Sequence, residues 1–262
     1  MAATPGKDGQ PTALVTGAGS GIGRAIAHRF GADGYAVVCA DLDGEAADRV
    51  AAEILQAEGR AVAVQADIAD EASIDALTRE TVARTGRIDT VAANAGIMVE
   101  GGILSLSLAD WTRAMTVNAT GAFLTARAVL PHLVETRGTL VFTCSTVALT
   151  GMRGVAAYSA SKGAVAALTR QLAADFAAEG VRVNAVAPGA VRTSLSESQF
   201  RARAADDAAF DALLDDVIQK YPIARWGTPE EIAEIVHLLA TARSSWMTGQ
   251  ILPVEGGLLQ LR

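Results

Sequence analysis

The strongest constraint on the fold is the alternation of short apolar runs with longer, Ala-rich amphipathic segments. The runs occupy residues 12–17, 35–41, 61–67, 88–96, 138–145, 182–189 and 249–257. The segments between them are long enough for the right-handed crossovers that join parallel strands. Because the runs are apolar almost without interruption, both faces of their sheet must be covered. The pattern predicts an α/β fold, a doubly wound parallel sheet with helices on both faces.

The chain is expected to form one large domain. With 262 residues, of which 50% are hydrophobic, it can bury a substantial core. No Pro/Gly/Ser-rich linker and no internal repeat divides residues 12–262, whereas residues 1–11 are expected to be a disordered tail. Residues 194–221 are charged and helical in pattern, and we interpret them as an insertion that forms a substrate lid.

Charge and hydropathy disfavour two classes of partner. The chain has 22 basic and 29 acidic residues, a net charge of −7, and no basic run that could neutralise successive phosphates of a nucleic acid. No apolar run approaches the roughly 18 residues of a membrane span. The first residues also lack the apolar core of a signal peptide. We therefore expect a cytoplasmic protein that binds neither nucleic acid nor membranes.

The cysteines and histidines offer no metal site and no nucleophilic triad. Cys39 and Cys144 lie inside apolar runs, where a small buried thiol is a commoner role than a disulfide or a redox centre. His28, His132 and His237 fall in separate helical patterns, far from any Ser or Cys partner. We expect these histidines at helix surfaces or interfaces.

A glycine-rich loop follows the first run. The stretch TGAGSGIG does not fit the usual Gly-x-Gly-x-x-Gly frame, but it does place Gly17, Gly21 and Gly23 where a backbone must turn sharply. The loop opens a predicted helix over residues 22–32, whose free N–H groups and dipole can hold a pyrophosphate. A tight strand-to-helix turn without a ligand has the same pattern, so the loop alone does not decide between the two.

An acidic residue strengthens the dinucleotide interpretation. Asp41 ends the second run, 18 residues after Gly23, close to the roughly 20 expected for an acid that binds a ribose 2′-hydroxyl. A 2′-phosphate there would be repelled by about 4 kcal/mol per unit charge at 4 Å and an effective dielectric of 20. Neither Ser20 nor Leu42 offers a compensating positive charge, so the sequence favours NAD over NADP. The alternative is that Asp41 only caps the next segment.

The second motif is YSASK. Tyr158 and Lys162, at positions i and i+4, share one helix face, and Ser145 ends the fifth run. A tyrosine titrates near pH 10, so its use as a base near neutral pH requires about 3 units of stabilisation of the phenolate, about 4 kcal/mol. A neighbouring cation such as Lys162 supplies stabilisation of this kind. We interpret the trio as a proton-transfer site, against the alternative of a surface helix pair.

These motifs together resemble the short-chain dehydrogenase/reductase family, in its single-domain branch with a Rossmann-type fold. The resemblance rests on TGAGSGIG, ANAG at residues 93–96, Asn118 in TVNATG, Ser145, YSASK, and PGAVRT at residues 188–193, and it covers Thr12 to Gly257. It implies that Tyr158 is the catalytic acid/base and that Lys162 lowers its pKa and binds the nicotinamide ribose. It also implies that Ser145 positions the substrate and that Asn118 holds a water in the proton path.

The resemblance extends to the cofactor site. It implies that Asp67 and Ile68 flank the adenine, that Asn94 supports the cofactor wall, and that Val191 and Thr193 meet the carboxamide. The full set expected to bind NAD is Gly17, Ser20, Gly21, Ile22, Gly23, Asp41, Leu42, Asp67, Ile68, Asn94, Ala95, Gly96, Tyr158, Lys162, Pro188, Gly189, Val191 and Thr193. Two departures from the family pattern are Ala93, where a second Asn is frequent, and Cys144, where Ser is common.

The sequence therefore predicts an enzyme that transfers hydride between NAD and a secondary alcohol or ketone. The alternatives are an NADPH-dependent 3-oxoacyl thioester reductase and a non-catalytic dinucleotide-binding regulatory protein. The expected substrate pocket is mostly apolar and comprises Met98, Val147, Met152, Arg153, Val155 and the segment 194–221. It favours an alicyclic, aromatic or aliphatic alcohol over a sugar, and Arg153 leaves room for an anionic group.

The same sequence predicts self-association. The helix expected over residues 158–178 carries small residues on more than one face, as it would if one face met the sheet and another met a partner helix. Together with the family resemblance, this predicts a homotetramer or, failing that, a dimer.

Overall fold

The computed structural model describes residues 9–261, apart from the side chains of Leu195 and Ala202. All seven apolar runs form strands of one parallel sheet, in the order β3-β2-β1-β4-β5-β6-β7. The strands are β1 (Thr12–Thr16), β2 (Ala36–Asp41), β3 (Arg60–Gln65), β4 (Thr90–Ala93), β5 (Thr139–Thr143), β6 (Arg182–Pro188) and β7 (Ile251–Val254). The predicted single-domain, Rossmann-type doubly wound fold is confirmed.

The strand order reverses at β1. This strand pairs in parallel with both β2 and β4, so that Thr16 lies opposite Ala40 on one side and Ala93 on the other. The connection after β1 therefore leads to β2 on one side of the sheet, whereas the connection after β4 leads to β5 on the other side. A crevice opens at the carboxyl ends of the strands at such a point, where open α/β sheets bind ligands.

Helices cover both faces of the sheet. They are α1 (Gly21–Ala32), α2 (Gly44–Gln56), α3 (Glu71–Thr85), α4 (Leu108–Ala114), α5 (Gly121–Thr136), α6 (Ala156–Phe176), α7 (Ser194–Arg203), α8 (Asp207–Ile218) and α9 (Pro229–Ala240). Leu14 and Val38 face a core formed with α3, α5 and α6, whereas Ala13 and Val37 face a core formed with α1, α2 and α9. This alternation of side chains along each strand explains why the runs are apolar throughout. No helix in the described part of the chain is long and apolar enough to cross a membrane.

Side-chain caps fix the starts of several helices. Asp43 accepts a hydrogen bond from the backbone N–H of Ala46 at the start of α2, and Asp70 caps α3 in the same way. At α9, Thr228 and Glu231 form a reciprocal capping box. Each such cap contributes about 1 kcal/mol, which helps to set where the helix begins.

Most of the predicted tail lies outside the described residues, and one histidine differs from expectation. Of the predicted tail, residues 1–8 lie outside the described residues, while the carbonyl of Pro11 accepts a hydrogen bond from Ala36 N, 2.9 Å away. His237 is not at a helix surface: it is 3% exposed, and its ring packs near Phe30 and Tyr35. The apolar surroundings of His237 come from distant parts of the chain. Both cysteines are free and buried, as predicted.

Candidate active site

A cleft of about 510 Å³ opens at the carboxyl ends of the strands. Its walls come from the residues that follow β1 to β6 and from α7. It is lined by Thr16, Gly17, Ser20, Gly21, Ile22, Ala40, Asp41, Leu42, Ala66, Asp67, Ile68, Ala69, Asn94, Ala95, Gly96, Ile97, Met98, Val117, Thr143, Cys144, Ser145, Tyr158, Lys162, Pro188, Gly189, Val191, Thr193, Ser194, Ser196 and Gln199. The cleft lies where the strand order reverses.

The glycine loop is built so that the start of α1 is open to a ligand. Gly17 and Gly21 have φ values of +66° and +51°, which residues that carry a side chain rarely adopt. A Cβ at Gly23 would lie 1.9 Å from the carbonyl oxygen of Gly17, so this position must be glycine. Ser20, the N-cap residue of α1, makes no side-chain cap hydrogen bond. The N–H groups of the first turn therefore face the cleft without a competing side-chain acceptor, as an anion site requires.

Asp41 is held at the end of β2 by backbone donors. Its Oδ2 accepts a hydrogen bond from Gly19 N at 2.8 Å, and its Oδ1 accepts one from Asp43 N at 3.0 Å. A Cβ at Gly19 would lie 2.9 Å from Oδ2 of Asp41 and 2.6 Å from the Cβ of Ala46. The glycine loop and the acidic residue thus form one unit, and the carboxylate remains at the wall of the cleft.

Hydrogen bonds connect the ends of the central strands. Thr16 Oγ1 accepts from the backbone N–H groups of Asn94 and Ala95, at 3.1 and 3.2 Å. The side chain of Asn94 donates to the carbonyl of Gly17 at 3.4 Å and accepts from Thr143 Oγ1 at 3.0 Å. Asn94 therefore links β1, β4 and β5 immediately below the cleft, which agrees with the supporting role expected for it.

Lys162 is a buried cation on α6. Its side chain is held by a hydrogen bond from Nζ to the carbonyl oxygen of Thr143, 2.8 Å away, and the residue is 5% exposed. Burial lowers the pKa of Lys162 to about 8. Nζ lies 5.9 Å from the centre of the Tyr158 ring. The i, i+4 spacing therefore brings the ammonium and the phenol together at the cleft, as predicted.

Tyr158 and Ser145 face each other across the same part of the cleft. Burial raises the pKa of Tyr158 to about 12, and a hydrogen bond with the Ser145 hydroxyl lowers it by less than burial raises it. The chain by itself therefore does not depress the pKa of Tyr158, contrary to the effect expected of Lys162. The reason is that desolvation of the phenolate outweighs the stabilising contacts. Ser145 is 8% exposed and is the N-cap of a short 3₁₀ turn, Thr146–Ala148.

Asn118 lies in a π-helical turn, Met115–Thr120, between α4 and α5. Its side chain accepts from Ile97 N at 2.8 Å and donates to the carbonyl of Ile97 at 2.8 Å and to Ser161 Oγ at 3.0 Å. Asn118 does not line the main cleft. It lines, with Lys162, a separate cavity of about 10 Å³, close to the smallest volume that holds one water molecule.

The structure brings most of the predicted site residues together. Of those expected to bind the cofactor, all line the cleft except Gly23, which is buried beneath the loop. Of the five expected substrate residues, Met98 alone lines the cleft: Val147 and Val155 are buried, and Met152 and Arg153 are exposed. Met152, Arg153 and Val155 lie in a segment that is joined to the loop after β4 by a hydrogen bond: Gly101 N donates to the carbonyl of Gly154, 2.7 Å away.

Several lining residues were not predicted individually from the sequence. They are Thr16, Ala40, Ala66, Ala69, Ile97, Val117 and Thr143. Ser194, Ser196 and Gln199 also line the cleft, and they belong to the segment 194–221 that the sequence predicts as a substrate lid. Val117 lies in a π-helical turn, and the others lie at or shortly after strand ends, where no side-chain pattern separates a lining residue from a core residue.

Comparison with known proteins agrees with this arrangement. A family model described as enoyl-(acyl carrier protein) reductase matches residues 17–259. The chain is 38% identical over 244 residues to meso-2,3-butanediol dehydrogenase of Serratia marcescens, a match that covers 93% of this chain and 92% of the relative. It is 37% identical to 3-oxoacyl-[acyl-carrier-protein] reductase of Synechocystis sp., with 94% and 96% covered. The crystal structure of levodione reductase matches with a TM-score of 0.89 and 32% identity, over 94% of this chain and 96% of that one.

The chain belongs to the short-chain dehydrogenase/reductase family. Short-chain dehydrogenases/reductases are oxidoreductases that use NAD or NADP. The residues present fit such a dinucleotide, because three glycines leave room for a close backbone approach, the first turn of α1 faces the cleft, and Asp41 stands at the adjacent strand end. Ser145, Tyr158 and Lys162 line the same cleft.

Proposed function

We propose that this short-chain dehydrogenase/reductase transfers hydride between NAD and a secondary alcohol or ketone, with Tyr158 as the acid/base. The observation that carries the proposal is the meeting of three groups at one end of the cleft: the Tyr158 phenol, the Ser145 hydroxyl and the buried ammonium of Lys162. The glycine loop and Asp41 line the other end of the same cleft.

The two ends of the cleft have separate tasks. When bound, NAD supplies the electrophilic ring that accepts a hydride from the alcohol carbon, and NADH returns it. Gly17, Gly21 and the first turn of α1 would hold the pyrophosphate, and Asp41 the adenosine ribose. Lys162 would bind the nicotinamide ribose, and Val191 and Thr193 would contact the carboxamide. These assignments are supported by the position of each residue in the wall of the cleft.

The protein's own groups move the proton. In alcohol oxidation the Tyr158 oxygen accepts the hydroxyl proton as the carbinol C–H bond breaks, and in ketone reduction Tyr158 donates a proton to the oxygen that forms. Ser145 orients the substrate oxygen through its hydroxyl group. The positive charge of Lys162 stabilises the phenolate. The small cavity lined by Asn118 and Lys162 has about the smallest volume that holds one water, which supports a role for Asn118 in passing the proton onward.

Asp41 supports NAD rather than NADP. Its carboxylate is fixed by two backbone donors and lies beside Leu42, which is 64% exposed and carries no charge. The free hydroxyls of the NAD ribose can donate hydrogen bonds to this carboxylate. The 2′-phosphate of NADP is negatively charged, so at the same short distance the carboxylate would repel it. We therefore infer that the physiological reaction runs with NAD.

A second function is favoured by one observation, the 37% identity to a 3-oxoacyl-[acyl-carrier-protein] reductase. That reaction would be the reduction of a 3-oxoacyl thioester by NADPH. It requires a site for a 2′-phosphate, which Asp41 opposes. A non-catalytic regulatory role is disfavoured because Asn118, Ser145, Tyr158 and Lys162 are all present.

One experiment separates these functions. The protein is incubated with NAD and a panel of secondary alcohols, and with NADPH and a 3-oxoacyl thioester, and the reduced cofactor is followed by its absorbance. We expect NADH to form from at least one alcohol class, and the same assay with Tyr158→Phe to show almost none. Consumption of NADPH by the thioester without any NADH from the alcohols would favour the reductase instead. Inactivity of both assays, with NAD still bound, would favour a regulatory protein.

We also propose a homotetramer in the cytoplasm, with residues 194–221 as a substrate lid. The exposed apolar side chains of Leu104, Leu108 and Trp246, which are 101%, 80% and 99% exposed, support self-association. The two free cysteines suit a reducing compartment. Light scattering tests the assembly: a mass equal to one chain at micromolar concentration would contradict it.

A further inference from the structure

One face of α7 lines the cleft. Ser196 and Gln199 line the cleft, and Arg203 continues the same face four residues later. Residues three and four apart on a helix lie one above another. The cleft face of α7 therefore presents Ser196, then Gln199, then Arg203, in that order along the helix.

Both ends of this face are fastened to the rest of the protein. Ser196 Oγ accepts from Thr193 N at 2.9 Å and donates to the carbonyl of Val191 at 3.0 Å, so its hydroxyl is committed to the start of α7. Arg203 reaches across to Glu100, on the loop after β4, with 3.4 Å between Nη1 and Oε1. The helix is thus held over the cleft at its first turn and at its last residue.

Gln199, between these two contacts, is uncommitted. Within the part of the chain that the structure describes, its side-chain amide has no hydrogen-bond partner, although it lines the cleft and is partly buried. The wall of the same cleft also contains the apolar residues Ile97, Met98 and Val117. An amide carries both a donor and an acceptor, and because Gln199 is only partly buried, both are accessible to a ligand in the cleft.

The charges around α7 restrict the chemistry of that ligand. The arginines of this segment are each engaged with a carboxylate: Arg192 with Glu197 at 2.6 Å, Arg201 with Asp207 at 2.5 Å, and Arg203 with Glu100. Gln199 itself is neutral. The lid face therefore suits a neutral polar group better than a carboxylate, a sulfonate or a phosphate.

We propose that Gln199 is a specificity-determining residue that binds a second, neutral oxygen of the substrate, a hydroxyl or carbonyl group beside the one that reacts at Tyr158. The preferred substrates are then diols and hydroxyketones rather than simple alcohols. This inference rests on the proposed alcohol dehydrogenase function, because it concerns the other end of the same substrate. A site that hydrogen-bonds a substrate hydroxyl discriminates against the analogue that lacks it.

The test uses matched pairs of compounds with NAD: butan-2-ol and butane-2,3-diol, cyclohexanol and cyclohexane-1,2-diol, and 1-phenylethanol and 1-phenylethane-1,2-diol. The quantity is the ratio of kcat/KM for the diol to that for the alcohol. In the unmodified protein at least one pair should show a ratio of about ten or more. Gln199→Met, which keeps the length of the side chain, should lower that ratio about tenfold, mainly through a higher KM for the diol.

Gln171→Met is the matched control. Gln171 lies exposed on α6 and donates to Asp175 at 2.8 Å, outside the cleft, so this variant should keep the ratio of the unmodified protein. Equal kcat/KM for alcohol and diol in every pair, or an unchanged ratio in Gln199→Met, overturns the inference while the dehydrogenase function stands. A preference for 3-hydroxybutanoate over all the diols overturns it too. Failure of every alcohol in the wider panel is instead failure of the proposed function, and the inference falls with it.

Discussion

The Oδ2 atom of Asp41 accepts a hydrogen bond from the backbone N–H of Gly19, 2.8 Å away. This bond joins the end of β2 to the loop between β1 and α1, the two segments that would bind the two halves of an adenosine diphosphate. The second oxygen of the carboxylate is held by Asp43 N at 3.0 Å. Asp41 is therefore orientated by the protein itself, which makes its charge an effective discriminator of what binds next to it.

The first prediction concerns cofactor choice. Because Asp41 repels a 2′-phosphate, NAD should bind at least about tenfold more tightly than NADP, a modest fraction of the roughly 4 kcal/mol available at 4 Å and an effective dielectric of 20. The double variant Asp41→Asn with Leu42→Arg removes the negative charge and adds a positive one. This double variant should narrow or invert the preference for NAD over NADP. The measurement is the shift of the melting temperature with equal concentrations of NAD and NADP.

Asp43→Asn is the control for this experiment, since Asp43 is an exposed acid two residues away that caps α2. It should preserve the preference for NAD. If NADP stabilises the unmodified protein more than NAD does, the assignment of Asp41 is wrong.

The second prediction concerns the glycine loop. A Cβ at Gly23 would lie 1.9 Å from the carbonyl oxygen of Gly17, a backbone atom that cannot move without deforming the loop. Gly23→Ala should therefore lower the stability by roughly 1–3 kcal/mol and weaken NAD binding by more than tenfold. Urea unfolding and NAD titration measure the two effects. Gly151→Ala, where an added Cβ meets nothing within 4 Å, is the control and should change neither.

The third prediction concerns the free energy of unfolding, which the burial of the charged Lys162 lowers. Burial lowers the pKa of Lys162 from 10.5 to about 8, so below pH 8 the folded protein carries a charge that would be better hydrated in the unfolded chain. This penalty shrinks as the pH rises from about 8 to 10.5, because the folded state then releases a proton that the unfolded state keeps. Lys162→Met should therefore be more stable than the unmodified protein at pH 7. The upper limit of the gain is about 3 kcal/mol, less about 1 kcal/mol for the lost hydrogen bond to Thr143.

Urea unfolding at pH 7 and at pH 10 measures this effect, and the advantage of Lys162→Met should be smaller at pH 10. Lys220→Met is the control, because Lys220 is exposed. The stability of this variant should follow that of the unmodified protein at both pH values. A Lys162→Met variant that is less stable at pH 7 would show that the hydrogen bond to Thr143 outweighs the cost of burial.

The sequence predicts the sheet well because burial on two faces leaves a strong local pattern. The ends of the strands are less predictable. The apolar run at residues 61–67 ends as a strand at Gln65, and the run at residues 88–96 ends at Ala93. The remaining residues, Ala66 and Asp67 in one run and Asn94, Ala95 and Gly96 in the other, lie in the wall of the cleft, and no pattern in the sequence marks where each strand stops.

The site shows the same division. Ser145, Tyr158 and Lys162 can be found from sequence because helix spacing and strand ends fix their positions. The π-helical turn around Asn118 has no comparable sequence pattern, since it depends on the hydrogen bonds that Asn118 makes with Ile97. Met152, Arg153 and Val155 do not line the cleft, and they lie in a segment that pairs with the loop after β4 at Gly101, a contact that has no local sequence pattern.

The last prediction concerns the proton. Burial raises the pKa of Tyr158 to about 12, so the protein alone holds Tyr158 protonated at neutral pH, ready to donate but not to accept. Alcohol oxidation should therefore accelerate as the pH rises, while ketone reduction should not.

Tyr158→Phe removes only the hydroxyl, so it should reduce turnover in both directions by at least about a hundredfold and leave NAD affinity almost unchanged. Tyr35→Phe is the matched control, because Tyr35 packs against Phe30 and His237, away from the cleft, and its turnover should remain normal. Near-normal turnover in Tyr158→Phe, or an oxidation rate that falls as the pH rises from 6 to 9, would refute the assignment of Tyr158 as the acid/base.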